Sequence, residues 1–193
     1  MAERCPWSTK NERMTHYHDQ EWGVPLYDDA KLFEFLVLEG FQAGLSWDIV
    51  LKKREAFRES FDGFDYRIIT GYKDEKVEAL MQNPGIIRNR AKILGTINNA
   101  LRFQEVQQQF GSFSHYIWQF VNHAPVVNHF TSLSELPART ELSDRVSVDL
   151  KKRGFKFVGS TVVYAHLQAT GLVNDHLISC YRHAEIIASY TKK

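Results

Sequence analysis

Apolar residues recur at intervals of three and four along most of this chain, the spacing that gathers side chains onto one face of an α-helix. In AKLFEFLVLEG (30–40), Leu32, Phe33, Leu36 and Val37 form one stripe, with Asp28-Asp29 as a cap in front and Gly40 as a stop behind. LSWDIVLKKREAFRESF (45–61) repeats the pattern through Trp47, Val50, Leu51 and Phe57. KDEKVEALMQN (73–83) runs into Pro84-Gly85, after which Ile86, Arg90, Ile93, Ile97 and Leu101 mark a long helix. The same periodicity predicts helices over 112–122, over 141–153 up to Gly154, and over 160–171, with a last helix carrying His176 and Cys180. Alternation of period two is not sustained anywhere; HAPVVNHF (123–130) is the one isolated stretch with strand character. GFKFVGS (154–160) is too short and too glycine-flanked for a strand. Neither a repeat nor a low-complexity linker interrupts the pattern. The expected fold is all-α, in one domain over residues 1–193, a length that allows one well-buried core or two small lobes that share one.

Composition changes this picture little. With 44% hydrophobic and 24% charged residues and a net charge of +1, the sequence is that of an ordinary globular protein. Its charge does not advertise nucleic acid, although a neutral total is compatible with one basic face. The N-terminus MAERCPW is polar, and no run approaches the roughly 20 apolar residues of a membrane helix. The cytoplasm is therefore the expected compartment, where two cysteines serve as thiols or metal ligands more readily than as a bridge.

Four stretches carry candidate chemistry. Cys5 and His18 near one end, and His176 and Cys180 near the other, together make the thiolate and imidazole set of a tetrahedral metal site. Each pair alone is also what eight histidines and buried cysteines produce by chance. Four protein ligands would leave no open position, so such a site would clasp the termini and do no catalysis. THYHDQEWG (15–23), read as a loop, packs aromatic and titratable groups densely, with Trp22 a core anchor or a functional wall. In LEGFQAGLSW (38–47), Glu39 ends an apolar helix, pointing either to solvent or into a pocket walled by Trp47; a glycine-bearing loop follows. KKRGFKFVGS (151–160) combines a basic helix end, a tight turn and a fresh helix N-terminus, a unit that suits a phosphate. A basic helix end also simply complements the helix dipole.

RCPW (4–7), YHDQEWGVP (17–25), LFEFLVLEGFQAGLSWDIVLKKRE (32–55), GIIRNRAKI (85–93), WQFVNH (118–123), LKKRGFKFVGST (150–161) and GLVNDH (171–176) occur in order over almost the whole chain. As a set they resemble the DNA-3-methyladenine glycosylase I family, of the helix-hairpin-helix DNA glycosylase superfamily.

The resemblance implies a bacterial, cytoplasmic repair enzyme that flips 3-methyladenine out of double-stranded alkylated DNA and hydrolyses its N-glycosidic bond. Free 3-methyladenine would be released, and no obligate protein partner is implied. One structural Zn2+ per chain would be held by Cys5, His18, His176 and Cys180. The base pocket would consist of Glu39, Tyr17, Trp22 and Trp47, with Trp7 close by, and Glu39 is the expected catalytic-site carboxylate. DNA would be engaged by Gln42, Gly44 and Leu45 of the QAGL turn, and by Lys151, Lys152, Lys156, Gly159 and Ser160 around the hairpin. Aligning VNDH with the superfamily's valine-aspartate-x-histidine pattern puts Asn174 where many relatives carry aspartate, with Asp175 one residue out of register. No lysine is an obvious Schiff-base nucleophile, so a monofunctional enzyme using water is expected. The alternatives are a non-catalytic protein that flags alkylated DNA, and a zinc hydrolase with chemistry at the metal.

Overall fold

The computed structural model describes residues 3–191. A 3-10 turn, Pro6–Lys10, leads into α1 (Glu12–Gln20), followed by α2 (Asp29–Gln42), α3 (Trp47–Ser60), α4 (Tyr66–Ile69) and α5 (Asp74–Gln82). Next come the long α6 (Arg90–Phe110), α7 (Phe113–Trp118), α8 (Glu141–Lys152), α9 (Ser160–Ala169) and α10 (Tyr181–Thr191). Among the described residues strand character survives only as a two-residue parallel pair, β1 (Val126–Val127) with β2 (Val173–Asn174). β1 lies within the HAPVVNHF stretch, and the pair ties the segment after α7 to the one after α9.

Helix α2 is the hub. Asp28 caps it by accepting from the Lys31 N–H at 2.8 Å, and every residue from Leu32 to Phe41 is buried. A helix buried on all sides must sit inside the molecule, and α3, α6, α7 and α9 pack around this one. Gly40 does not stop α2, which runs on to Gln42: Gly40 keeps a φ outside the left-handed range that a glycine stop uses.

Two further expectations about local structure fail. THYHDQEWG is helical as far as Gln20, not a loop: Asn11 caps α1 through the Met14 N–H at 3.0 Å, and Met14, Tyr17 and His18 form its buried face. His176 and Cys180 are not on a helix. They lie in the turns between β2 and α10, pinned by Ile178 N–H to Phe130 C=O (3.0 Å) and Tyr181 N–H to Glu3 C=O (3.1 Å). A turn brings residues four apart together as well as a helix does.

The segment between α8 and α9 is a tight hairpin. Thr140 and Ser143 form a capping box at the head of α8. At its tail Gly154 takes φ +87° and Phe157 φ +57°, and Gly159 then starts α9 without a side-chain cap. Ser147 Oγ donates to Val158 C=O at 2.6 Å, closing the hairpin against α8.

Candidate active site and metal centre

A cleft of about 320 Å³, open to solvent on one side, lies where α1, α2, α3 and α9 meet. Trp7, Tyr17, Trp22, Glu39, Gln42 and Trp47 all line it, as do Met14, Leu136, Ala165, Gln168 and Ala169. The five sequence-derived pocket residues are thus brought together from four separate segments. Their rings interlock: Trp7 meets Trp22 edge-on at 4.9 Å between centroids, and Tyr17 lies 5.4 Å from Trp47. Such a volume and apolar lining suit a small planar ligand.

Glu39 is the polar feature of this cavity. It is 2% exposed, and its Oε2 lies 2.8 Å from His166 Nδ1, itself buried on α9. Its other oxygen, Oε1, is buried with no partner, as are His166 Nε2 and Trp47 Nε1. An unpaired buried polar atom costs about 1–3 kcal/mol, a cost that persists where a ligand completes the set. Burial pushes the Glu39 carboxyl above the ordinary carboxylate range, against the opposing pull of His166 and then Arg54. Burial, with the negative charges of Glu39 and Glu21, holds the Tyr17 phenol far above its usual range, so its hydroxyl stays neutral.

His166 is the residue the sequence reading missed. Its signal was a lone imidazole in the apolar run STVVYAHLQATG, on the helix after the hairpin. Arg54, 5.1 Å over the Phe35 ring, was missed too; it bonds Glu34 at 2.7 Å and Glu21 at 2.8 Å beneath the cavity wall.

Asp175 does not line the cavity. It is 1% exposed and accepts from Asn128 Nδ2 at 2.6 Å, Gln168 Nε2 at 2.8 Å and the Tyr164 hydroxyl. Asn174 serves backbone: its Nδ2 donates to His183 C=O at 3.1 Å, and its Oδ1 accepts from His176 N–H at 3.3 Å.

The candidate DNA contacts occupy two exposed features. The turn Ala43–Ser46, with Gly44 at φ +85° and Leu45 40% exposed, projects from the end of α2 next to Gln42. Lys151, Lys152 and Lys156 are exposed around the hairpin, beside Gly159 and Ser160 at the start of α9. From Ser160 to His166 is six residues of helix, about 9 Å of rise, so α9 joins the hairpin to the cavity floor.

Cys5, His18, His176 and Cys180 are all buried, with ligand atoms within 4.8 Å of one another. Cys180 Sγ lies 3.4 Å from His18 Nε2 and 3.6 Å from His176 Nδ1; Cys5 Sγ lies 3.7 Å from the latter. A tetrahedral ion with bonds of about 2.0–2.3 Å demands ligand separations of about 3.3–3.8 Å. The outer ring nitrogens are also fixed, His18 Nδ1 on Asp19 (2.8 Å) and His176 Nε2 on the Trp22 carbonyl (2.9 Å). Asp19 is clamped in turn by Arg4 at 2.9–3.0 Å. Gly23 lets the pocket loop approach this closely: a Cβ there would lie 2.9 Å from His176 Nε2. The four residues therefore fit a metal ion.

Comparison with known proteins puts this architecture among the DNA glycosylases, enzymes that cut bases from DNA. The chain belongs to the methyladenine glycosylase family, whose sequence model matches residues 7–183. It is 51% identical over 178 residues to DNA-3-methyladenine glycosylase 1 of Escherichia coli K12, covering 92% of this chain and 95% of that one. A crystal structure of a 3-methyladenine DNA glycosylase I matches with a TM-score of 0.90 and 48% identity, covering 93% of this chain and 98% of its own. The Staphylococcus aureus 3-methyladenine DNA glycosylase I, solved to define recognition of 3-methyladenine, matches at 0.89 and 36%, covering 92% and 95%. Among the described residues no helix is long and apolar enough to cross a membrane.

Proposed function

We propose that this enzyme hydrolyses the N-glycosidic bond of 3-methyladenine in double-stranded alkylated DNA, flipping the base into the cavity under Glu39. The observation that carries this reading is the buried Glu39 Oε1, unpartnered inside an aromatic slot. A carboxylate accepts hydrogen bonds and donates none, so it selects the exocyclic amine of an adenine and repels the O6 acceptor of a guanine. N3 methylation makes the base cationic while it is still joined to the sugar, and an anionic, π-rich cavity favours that form. Stacking on Trp47 and Tyr17 contributes about 1–3 kcal/mol, against a few kcal/mol for extruding the base.

His166 Nδ1–H donates to Oε2 and so aims Oε1 at the ligand. The lesion's own charge activates its leaving group, and with Asp175 saturated and Asn174 spent on backbone, no aspartate base faces the cavity. Glu39 then acts through recognition and electrostatics. Among the described residues no lysine lines the cavity, which supports a monofunctional enzyme with water as nucleophile. At the cavity's edge, Gln42, which also lines it, joins the exposed Gly44 and Leu45 in occupying the gap left in the duplex. Lys151, Lys152 and Lys156, with the amides after Gly159, hold a phosphate at the head of α9. The cytoplasm of a bacterium is the setting we infer, since the relatives it matches are from Escherichia coli and Haemophilus influenzae.

We assign the metal as Zn2+, one per chain, because two thiolates and two imidazoles in tetrahedral array suit that ion. Bound there, with no coordination position left, it supplies cross-linking of the termini.

The test is turnover. Incubated with methylated duplex DNA, the protein is expected to release free 3-methyladenine in molar excess over itself. Tight binding of the alkylated duplex with no release would make it a non-catalytic lesion binder instead.

A further inference from the structure

Helix α6 contributes nothing to the cavity wall, yet one of its faces holds both of the elements assigned above to DNA. Lys92 Nζ donates to Phe41 C=O at 3.0 Å and Ala43 C=O at 2.9 Å, the carbonyls at the end of α2 from which the 42–45 turn springs. Lys92 is only 9% exposed, whereas Ala43 is exposed and water could satisfy its carbonyl. Burying a lysine there adds position, which capping alone does not require.

One turn further along, Gly95 lies under Phe157 of the hairpin. A Cβ on Gly95 would sit 2.6 Å from the ring's Cε2, and one on Gly40 of α2 would sit 3.6 Å from Phe157 Cβ. Phe157 keeps this wedge position in a left-handed conformation, φ +57°, that bulky residues rarely adopt. A turn beyond, Asn99 pairs with Lys156 in the manner of a strand. Its Oδ1 accepts the Lys156 N–H at 2.7 Å, and its Nδ2 donates to the Lys156 C=O at 2.9 Å. Asn98 Nδ2 adds a bond to Gly154 C=O at 2.8 Å. Lys92, Gly95 and Asn99 stand at helical spacing on one face, spanning about 10 Å of a rigid rod.

We propose that this face of α6 is a positioning strut, which fixes the 42–45 turn relative to the 154–157 hairpin so that gap filling and phosphate grip engage one duplex in register. The inference rests on the glycosylase reading above. Its consequence is specific: loosening the strut uncouples base extrusion from base binding, because the cavity itself is built from α1, α2, α3 and α9.

The experiment uses the full zinc-loaded chain carrying Lys92→Met, which keeps the aliphatic stem and removes the ammonium. Free 3-methyladenine binding, read by tryptophan fluorescence, is expected to be unchanged. Single-turnover excision from methylated duplex DNA is expected to fall by about tenfold or more, the scale of a small misplacement of reacting groups. On methylated single-stranded DNA, which leaves no duplex gap to fill, the loss is expected to be much smaller. Wild-type excision by Lys92→Met overturns the strut, and so does an equal loss of free-base binding and excision on both substrates. Should that variant fail to fold, Gly95→Ala reads the same coupling from the hairpin side by displacing the Phe157 ring, with the same split expected. Failure of the unmodified protein to release 3-methyladenine would refute the glycosylase reading itself, and the strut with it.

Discussion

A carboxylate buried as deeply as Glu39 destabilises the fold that holds it, and its one hydrogen bond from His166 offsets only part of that cost. Its raised pKa fixes the sign: ionisation is easier in the unfolded chain, so stability from this group is present at acid pH and declines as pH rises through the folded value. Glu39→Gln is therefore expected to melt at or above the wild-type temperature at pH 8, with the difference vanishing near pH 4, while losing most excision. Thermal melts across pH beside excision assays check both halves. A variant less stable at every pH would contradict the desolvation argument. His166 lowers the Glu39 pKa by charge and by hydrogen bond. In His166→Ala that pull is gone, so the acidic limb of the excision profile is expected to move to higher pH. A profile unmoved by the substitution would leave His166 a packing residue. Of this pair, Glu39 was legible as a carboxylate at the end of an apolar helix. His166 was not, because nothing in sequence links two residues brought together only when α9 crosses α2.

At the scale of elements, the periodic helices were the readable part and the polar or broken ones were not. The stripe Leu32, Phe33, Leu36, Val37 announces α2. In α1 the buried face is Met14, Tyr17 and His18, and a histidine counted as polar hides the period. The i, i+4 spacing of His176 and Cys180 suggested a helix where two turns do the same work, since spacing reports proximity and not the backbone that provides it. The ion-pair network Arg54–Glu34–Arg58 was invisible for another reason: its charges sit inside amphipathic stripes of α2 and α3 that read as solvated faces. Glu34 is buried, and although desolvation alone would raise its pKa, Arg54 and then Arg58 hold it below the ordinary range. Arg54→Met removes the more buried partner of Glu34 but leaves it paired with Arg58, and is expected to cost about 1–3 kcal/mol, or roughly 2–12 °C in Tm for a chain of this size. Because the folded pKa of Glu34 is depressed, this deficit should shrink as pH falls through the carboxylate range. A deficit constant with pH would assign the loss to packing against Phe35 instead.

For the whole molecule, the clasp of Cys5, His18, His176 and Cys180 links the two ends of the chain to the cavity. His18 follows pocket residue Tyr17, and the Trp22 carbonyl receives His176 Nε2. Elemental analysis is expected to find one zinc per chain. Chelation, or Cys180→Ser, is expected to lower Tm steeply, since apparent binding energies of about 10–16 kcal/mol belong to structural zinc. Base binding should disappear in step with the fold. Excision that follows zinc occupancy while the fold stays intact would place chemistry at the metal. The four ligand types were legible in sequence, but their convergence rested on the likeness of the whole motif set, because neither pair alone exceeds chance. The account as a whole turns on what Glu39 touches. The most direct measurement is a crystal structure of the protein with free 3-methyladenine. It is predicted to show the ring against Trp47 and Tyr17, with Glu39 Oε1 accepting a hydrogen bond from the exocyclic amine while Oε2 keeps His166. A base bound elsewhere, or in the cavity with its amine turned away from Glu39, would contradict it.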